Sequence, residues 1–231
     1  MSHGPDSAYG FPEWLPLEPV PAGSTVIVAG PAFSNVEELT ESMVGGGTRE
    51  GEGALFIATN ETCTKLLESC RRTVPGLDRS RVGVIDCSGQ DIGRSVSNVQ
   101  VKYVSTQSDL TGIGMKFSAL YESLYGAVEG GRVRTGLISL SSLSMYVDLR
   151  KLFQFAQTLS GRIDSAGGLG AFTIDPATHE PRTVNTLSQV ADARIDVREP
   201  EGDADGELRI RGLDGQPSGW QPFTLPSARA D

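Results

Sequence analysis

The stretch VIVAGPAFSNVEEL, Val26 to Leu39, decides how the rest of the chain is read. It opens on a continuous β-branched run, part of a strand expected over Ser24–Ala29 and covered on both faces. Gly30 and Pro31 break that run. A helix is expected over Asn35–Val44, with Ser34 or Asn35 able to cap it and Glu37 and Glu38 in its first turn, where carboxylates are favoured. Strand, glycine turn and helix start form the layout of a phosphate-binding loop, G-x-x-x-x-G-K-[ST]. In that motif backbone N–H groups cradle phosphates, the Lys reaches the β and γ oxygens, and the hydroxyl holds magnesium. Gly30 keeps the first position, and Pro31 and Ser34 lie within the turn. Asn35 replaces the second glycine, Val36 the lysine and Glu37 the hydroxyl. A carboxylate at position 37 stands where magnesium-bound phosphate would lie, and such like-charge contact is unfavourable by roughly 1 to a few kcal/mol.

Outward from this stretch, apolar runs alternate with helical patterns. Strands are expected at Ala54–Thr59, Arg81–Asp86, Val99–Val104, Gly136–Leu140, Gly167–Ile174 and Ala193–Arg198. Asn60 or Thr62 can cap a helix that runs to Arg72. From Ser108, the positions Leu110, Ile113, Phe117, Leu120, Tyr121, Leu124 and Val128 fall on one stripe, and Leu149 to Ile163 gives a second long amphipathic helix. A short helix is expected at Thr183–Gln189. Glu207–Arg211 and Gln221–Leu225 read as antiparallel strands, with Asp214–Gly215 as a turn signal. GGGTREGEG, from Gly45, reads as an exposed loop. Residues 1–22 read as an extended lead-in laying Trp14 and Leu15 on the surface, 23–226 as one domain, and 227–231 as a disordered tail. Strands alternating with helices imply an α/β fold of three layers, with a mainly parallel sheet and C-terminal antiparallel strands. In such sheets ligands bind beyond the carboxyl ends of the strands, where Gly30 lies.

The chain has 231 residues and a formal charge of −9. That balance opposes sequence-independent nucleic-acid binding, which draws on clustered Lys and Arg. Lys65, Lys102, Lys116 and Lys151 are its only lysines. Low Lys with excess acid is what a salt-rich cytoplasm favours, and high-GC codon bias also depletes Lys. Cys63, Cys70 and Cys87 form no CxxC pair and read as buried small hydrophobes. His3 and His179 are isolated, so no metal cluster is expected. The polar N-terminus and the lack of a long apolar run point to a cytoplasmic protein with no membrane span.

The order of segments resembles a RecA-type ATPase core, and within it the KaiC-like branch common in archaea. Leu15–Pro31 (LPLEPVPAGSTVIVAGP) is similar to that branch's entry into its first strand. Ala54–Glu68 (ALFIATNETCTKLLE) resembles its second strand and following helix, and Ser108–Leu124 (SDLTGIGMKFSALYESL) a later family helix. Leu137–Tyr146 (LISLSSLSMY) looks like the second phosphate-site strand, while Gly168–Asp175 and Glu207–Leu225 resemble the later strand and closing hairpin. The resemblance implies a RecA-like core and a nucleotide site. It places Ser141 where the family carries the metal-organising acid at a strand end, and Asn60 or Glu61 where it carries the catalytic acid. Asn60 cannot act as a base, and Glu61 alone has no activated water, metal or phosphate to work on.

The implied reading is an inactive homologue, a pseudo-ATPase using neither ATP nor magnesium. It would act as a regulatory or scaffold protein on protein partners, self-association included, and not on nucleic acid or membrane. The alternative is a non-hydrolysing sensor of nucleotide or another anion. The serines at 139, 141, 142 and 144 invite a nucleophile reading, but neither a G-x-S-x-G elbow nor a suitably placed His accompanies them. Arg71–Thr73 and Arg132–Arg134 read as a helix end and a strand edge near solvent. Asp175–Arg182 (DPATHEPR) has too little positive charge for a DNA-binding loop.

Overall fold

Strand β1, Thr25–Ala29, is buried along its whole length. Burying each of Val26, Ile27 and Val28 contributes on the order of 2 kcal/mol, and together these residues place β1 deep within a nine-stranded sheet. The computed structural model describes residues 8–90 and 92–226. The first seven residues of the expected lead-in and the expected tail at 227–231 lie outside the described residues. The remaining strands are β2 Gly53–Ala58, β3 Val82–Asp86, β4 Gln100–Tyr103, β5 Val133–Ile138, β6 Leu169–Ile174, β7 Ala193–Arg198, β8 Gly206–Arg211 and β9 Gln221–Phe223. Their order is β4-β3-β2-β5-β6-β1-β7-β8-β9. Pairing is parallel from β4 to β7, and antiparallel from β7 to β8 and β8 to β9. This is the expected RecA-like arrangement.

Among the described residues six α-helices cover the sheet: α1 Val36–Gly45, α2 Cys63–Thr73, α3 Leu110–Ala127, α4 Leu140–Ser144, α5 Leu149–Ser165 and α6 Pro181–Ser188. Alternation along β1 sends its side chains to both faces. Ile27 packs with Ile57, Phe172, Phe117 and Leu159 beneath α3 and α5. Val26 and Val28 pack with Phe56, Leu39 and Leu66 beneath α1 and α2. Thr62, Asp109 and Asp148 cap α2, α3 and α5 by accepting first-turn N–H groups. Cys63, Cys70 and Cys87 are buried free thiols. Among the described residues no helix is long and apolar enough to cross a membrane.

Three expectations need correction at the amino ends of the strands. GGGTREGEG is not an exposed loop: Gly46–Glu50 forms a 3-10 turn, with Gly47, Thr48 and Glu52 buried. Glu52 accepts from Arg132 Nε at 2.8 Å and from Arg134 Nε at 2.5 Å. Gly47 lies so close to this pair that any Cβ there would collide with Glu52 Oε2 and Arg134 Nε. The arginines of the Arg132–Arg134 segment therefore do not form a solvent edge, since Arg134 lies on an inner strand and is 1% exposed. Nor does the lead-in leave Leu15 on the surface, because Leu15 is buried in the α1–α2 layer. Tyr9 pairs with Val20 in a β-bridge, and its ring lies 4.0 Å from the Arg132 guanidinium. Arg134 Nη2 donates to Gly10 O at 2.9 Å. The segment is held by aromatic and backbone contacts to a buried ion pair.

Candidate functional site

The carboxyl ends of β1, β5 and β6 border a cleft of about 830 Å³. Gly30, Pro31, Asn35, Val36, Glu37 and Ser141 all line it, so six of the positions singled out in the sequence meet in one place. Ser34, Asn60 and Glu61 are not among its lining residues.

The turn between β1 and α1 is closed upon itself. Ser34 is 1% exposed, and its hydroxyl donates to Pro31 O at 2.7 Å. Val36 is 8% exposed and belongs to the apolar layer under α1. A Cβ on Gly30 would lie 2.6 Å from Val36 Cγ2 and 2.7 Å from Ser34 Oγ. The side chain at the lysine position therefore turns inward and fills the turn. Neither candidate residue caps α1. Asn35 sits in the left-handed region at φ 59, and its Nδ2 donates to Asp205 O at 2.7 Å. With no side-chain cap, the first-turn N–H groups of α1 have no side-chain acceptor. Phe33 also has positive φ, at 68, an uncommon state for a bulky residue, and it points into solvent.

Glu37 accepts from Asn60 Nδ2 at 2.7 Å, and burial raises its carboxyl above the ordinary range. Glu61 is pushed up to about 7, first by burial and then by the charges of Glu37 and Glu38. Deeper under α1, Glu41 is pushed up to about 8 by burial, although Ser69 and Thr73 donate to it at 2.8 and 2.9 Å. Among the described residues no Lys or Arg lines the cleft. Among the described residues, no group of three or more His, Cys, Asp or Glu side chains is arranged to hold a metal ion. The field at this end of the sheet favours neutral or cationic groups over phosphate.

Two serine assignments change. Ser141 is not at a strand end: β5 stops at Ile138, and Ser141 lies in the first turn of α4. The residues flanking the true strand end, Ile138 and Ser139, also carry no carboxylate. The expectation that no His accompanies the serines is corrected too. The β6–α6 connection brings His179 Nε2 to 2.9 Å from Ser141 Oγ, which also accepts from Asp175 N at 3.0 Å. Among the described residues no hydrogen bond orients the other His179 nitrogen, so the pair lacks the third member of a catalytic relay. What it does is tie α4 to the loop after β6. The separation of 38 positions between Ser141 and His179 hides this contact from sequence reading. Phe33 and Met145 line the cleft and were also missed, because no local pattern marks a solvent-facing apolar side chain.

Comparisons with known proteins agree with this fold. The structure resembles the crystal structure of the KaiC-like protein PH0186 from the hyperthermophilic archaeon Pyrococcus horikoshii OT3. The TM-score is 0.69 and the identity 16%, with 93% of this chain and 92% of that chain covered. That likeness defines the class as a RecA/KaiC-like fold. By its sequence, the chain belongs to the family described as a family of unknown function, DUF7504, whose model matches residues 23–197. No curated protein matches the sequence.

Proposed function

We propose that this chain is a RecA/KaiC-like protein without ATPase activity, serving as a regulatory or scaffold module that works through a protein partner. One observation carries the reading: Val36 occupies the interior of the turn where a phosphate-binding loop would place its lysine. Glu37 follows it with a half-buried carboxyl, and the end of β5 offers no acid to organise magnesium. Positioning and charge neutralisation provide almost all of phosphoryl-transfer catalysis, and these substitutions remove both. ATP and magnesium are accordingly not its cofactors. The protein operates in the cytoplasm of a salt-adapted cell, as its acidic, lysine-poor composition supports, and does not act on nucleic acid. Phosphate release from Mg·ATP, measured with the protein alone and with cell extract, tests the reading. No release above background is expected, and turnover lost on Glu37→Lys would overturn it.

A second reading has one observation in its favour. The uncapped α1 start leaves first-turn N–H groups able to receive an anion, as a non-hydrolysing nucleotide or anion sensor requires. Glu37 and Glu38 compete for the same positive helix end. Thermal stability that rises with ligand concentration would favour the sensor.

A further inference from the structure

Four large apolar side chains in solvent line two depressions that adjoin at Met145 and Tyr146. Phe33, 96% exposed, and Met145, 78% exposed, line the cleft. Met115 and Tyr146, 70% and 52% exposed, line a second groove of about 1110 Å³ between α3 and α5. Met145 and Tyr146 are consecutive, so cleft and groove meet at a shared ridge. A contiguous exposed apolar surface rimmed by polar groups marks an interaction face, and methionine adapts to the shape of what it receives. Phe33 adds a strained backbone that carries an aromatic ring outward, a departure that points to use rather than packing.

Charge decides the occupant. Glu37, Glu38 and Asp175 line the cleft, and Asp109, Glu122 and Asp148 the groove. Among the described lining residues the two Lys or Arg side chains are engaged: Lys151 with Asp148 at 3.2 Å, and Arg162 with Gly114 O at 3.1 Å. A second copy of a chain with net charge −9 would bring like charge toward like. We propose that this surface docks a basic amphipathic segment of a partner protein. Its apolar side chains would rest on Phe33, Met145, Tyr146 and Met115, and its Lys or Arg side chains would face Glu38 and Asp175. The proposal rests on the reading that the protein works through a protein partner, and it names the face and the chemistry of that partner.

The test is fluorescence anisotropy with a labelled helical Leu/Lys peptide and a Leu/Glu peptide of the same pattern, at several salt concentrations. The Leu/Lys peptide should bind, and the Leu/Glu peptide should not. Met145→Ser with Tyr146→Ser should weaken binding about tenfold or more, as expected for loss of buried apolar anchors. Glu38→Gln with Asp175→Asn should weaken it roughly three- to tenfold and flatten its salt dependence. These residues are exposed or half-buried, and unchanged melting curves confirm that the variants fold. Equal binding of both peptides, or affinity unchanged in the Met145/Tyr146 variant, would overturn the proposal. So would a concentration-dependent dimer that dissociates in that variant, because the occupant would then be a second copy. A partner captured from native lysate equally by wild type and the Met145/Tyr146 variant would overturn this face and leave the partner reading standing. Failure of peptides and lysate alike would end both.

Discussion

Two glutamates, Glu52 and Glu41, are almost fully buried, and the protein treats them in opposite ways. Glu52, 5% exposed at the amino ends of the strands, receives two guanidinium groups. Among the described residues Glu41, 1% exposed between α1 and α2, receives the hydroxyls of Ser69 and Thr73 and no cation. One carboxylate is compensated by charge, and the other is held near neutrality by a raised affinity for its proton. Charge is thus spent on structure at the amino ends, fixing the N-terminal segment, while Glu37, Glu38 and Asp175 line the cleft with no Lys or Arg among its described lining residues. A site for Mg·ATP would need the reverse distribution.

The largest effect expected from breaking this contrast lies at the compensated end. Arg134→Met leaves Glu52 buried with only the more exposed Arg132, and should cost about 3–5 kcal/mol, read by guanidinium denaturation. Arg134→Lys should recover only part of the loss, because an ammonium cannot reproduce the guanidinium's separate bonds to Glu52, Met43 O and Gly10 O. A loss below about 1 kcal/mol, the range of exposed pairs, would erase the difference between the two glutamates.

Next comes Glu41. Its carboxyl titrates near 4.5 in the unfolded chain and about 8 in the folded protein. The folded state therefore binds the proton more tightly. The stability this group contributes is fully present below about pH 4.5 and is lost as pH rises toward about 8. Glu41→Gln should flatten that part of the stability profile and stabilise the protein at pH 8 by on the order of 3 kcal/mol. Melting curves from pH 4 to 9 check it, and parallel profiles for wild type and variant would count against an uncompensated Glu41.

The smallest effect sharpens the account of the N-terminal segment. Tyr9 donates through its hydroxyl to Gly167 O at 3.0 Å. Tyr9→Phe should cost about 1 kcal/mol while the ring stays over Arg132. Denaturant midpoints at unchanged slope would measure it, and a loss near that of Arg134→Met would show the hydroxyl, rather than the ion pair, to be the anchor.

The β-branched runs and helical stripes were legible because their periods are local. TVIVA and ALFIA lie buried where the sequence placed them, and the α3 stripe through Phe117 and Leu124 faces the core. The Glu52–Arg134 pair spans 82 positions, so a glycine-rich stretch shaped by it passed for an exposed loop. The serine-rich tail matches a strand-end pattern at Ser141, whereas the backbone leaves β5 at Ile138. The residues that meet in the cleft were largely legible, because the phosphate-loop spacing runs through one continuous segment. The inward turn of Val36, the failure of Ser34 and Asn35 to cap α1, and the contact between His179 and Ser141 depend on contacts that spacing does not encode.

In the proposed reading, the turn from Gly30 to Glu37 keeps the place of a phosphate loop without its chemistry. Calorimetric titration of Mg·ATP into the wild type and into a triple variant, Asn35→Gly, Val36→Lys and Glu37→Thr, tests it most directly. The wild type should give no heat at millimolar ligand. The variant should bind and gain thermal stability, without releasing phosphate while positions 138, 139 and 141 lack a carboxylate. Tight binding by the wild type, or no gain in the variant that folds, would contradict the account.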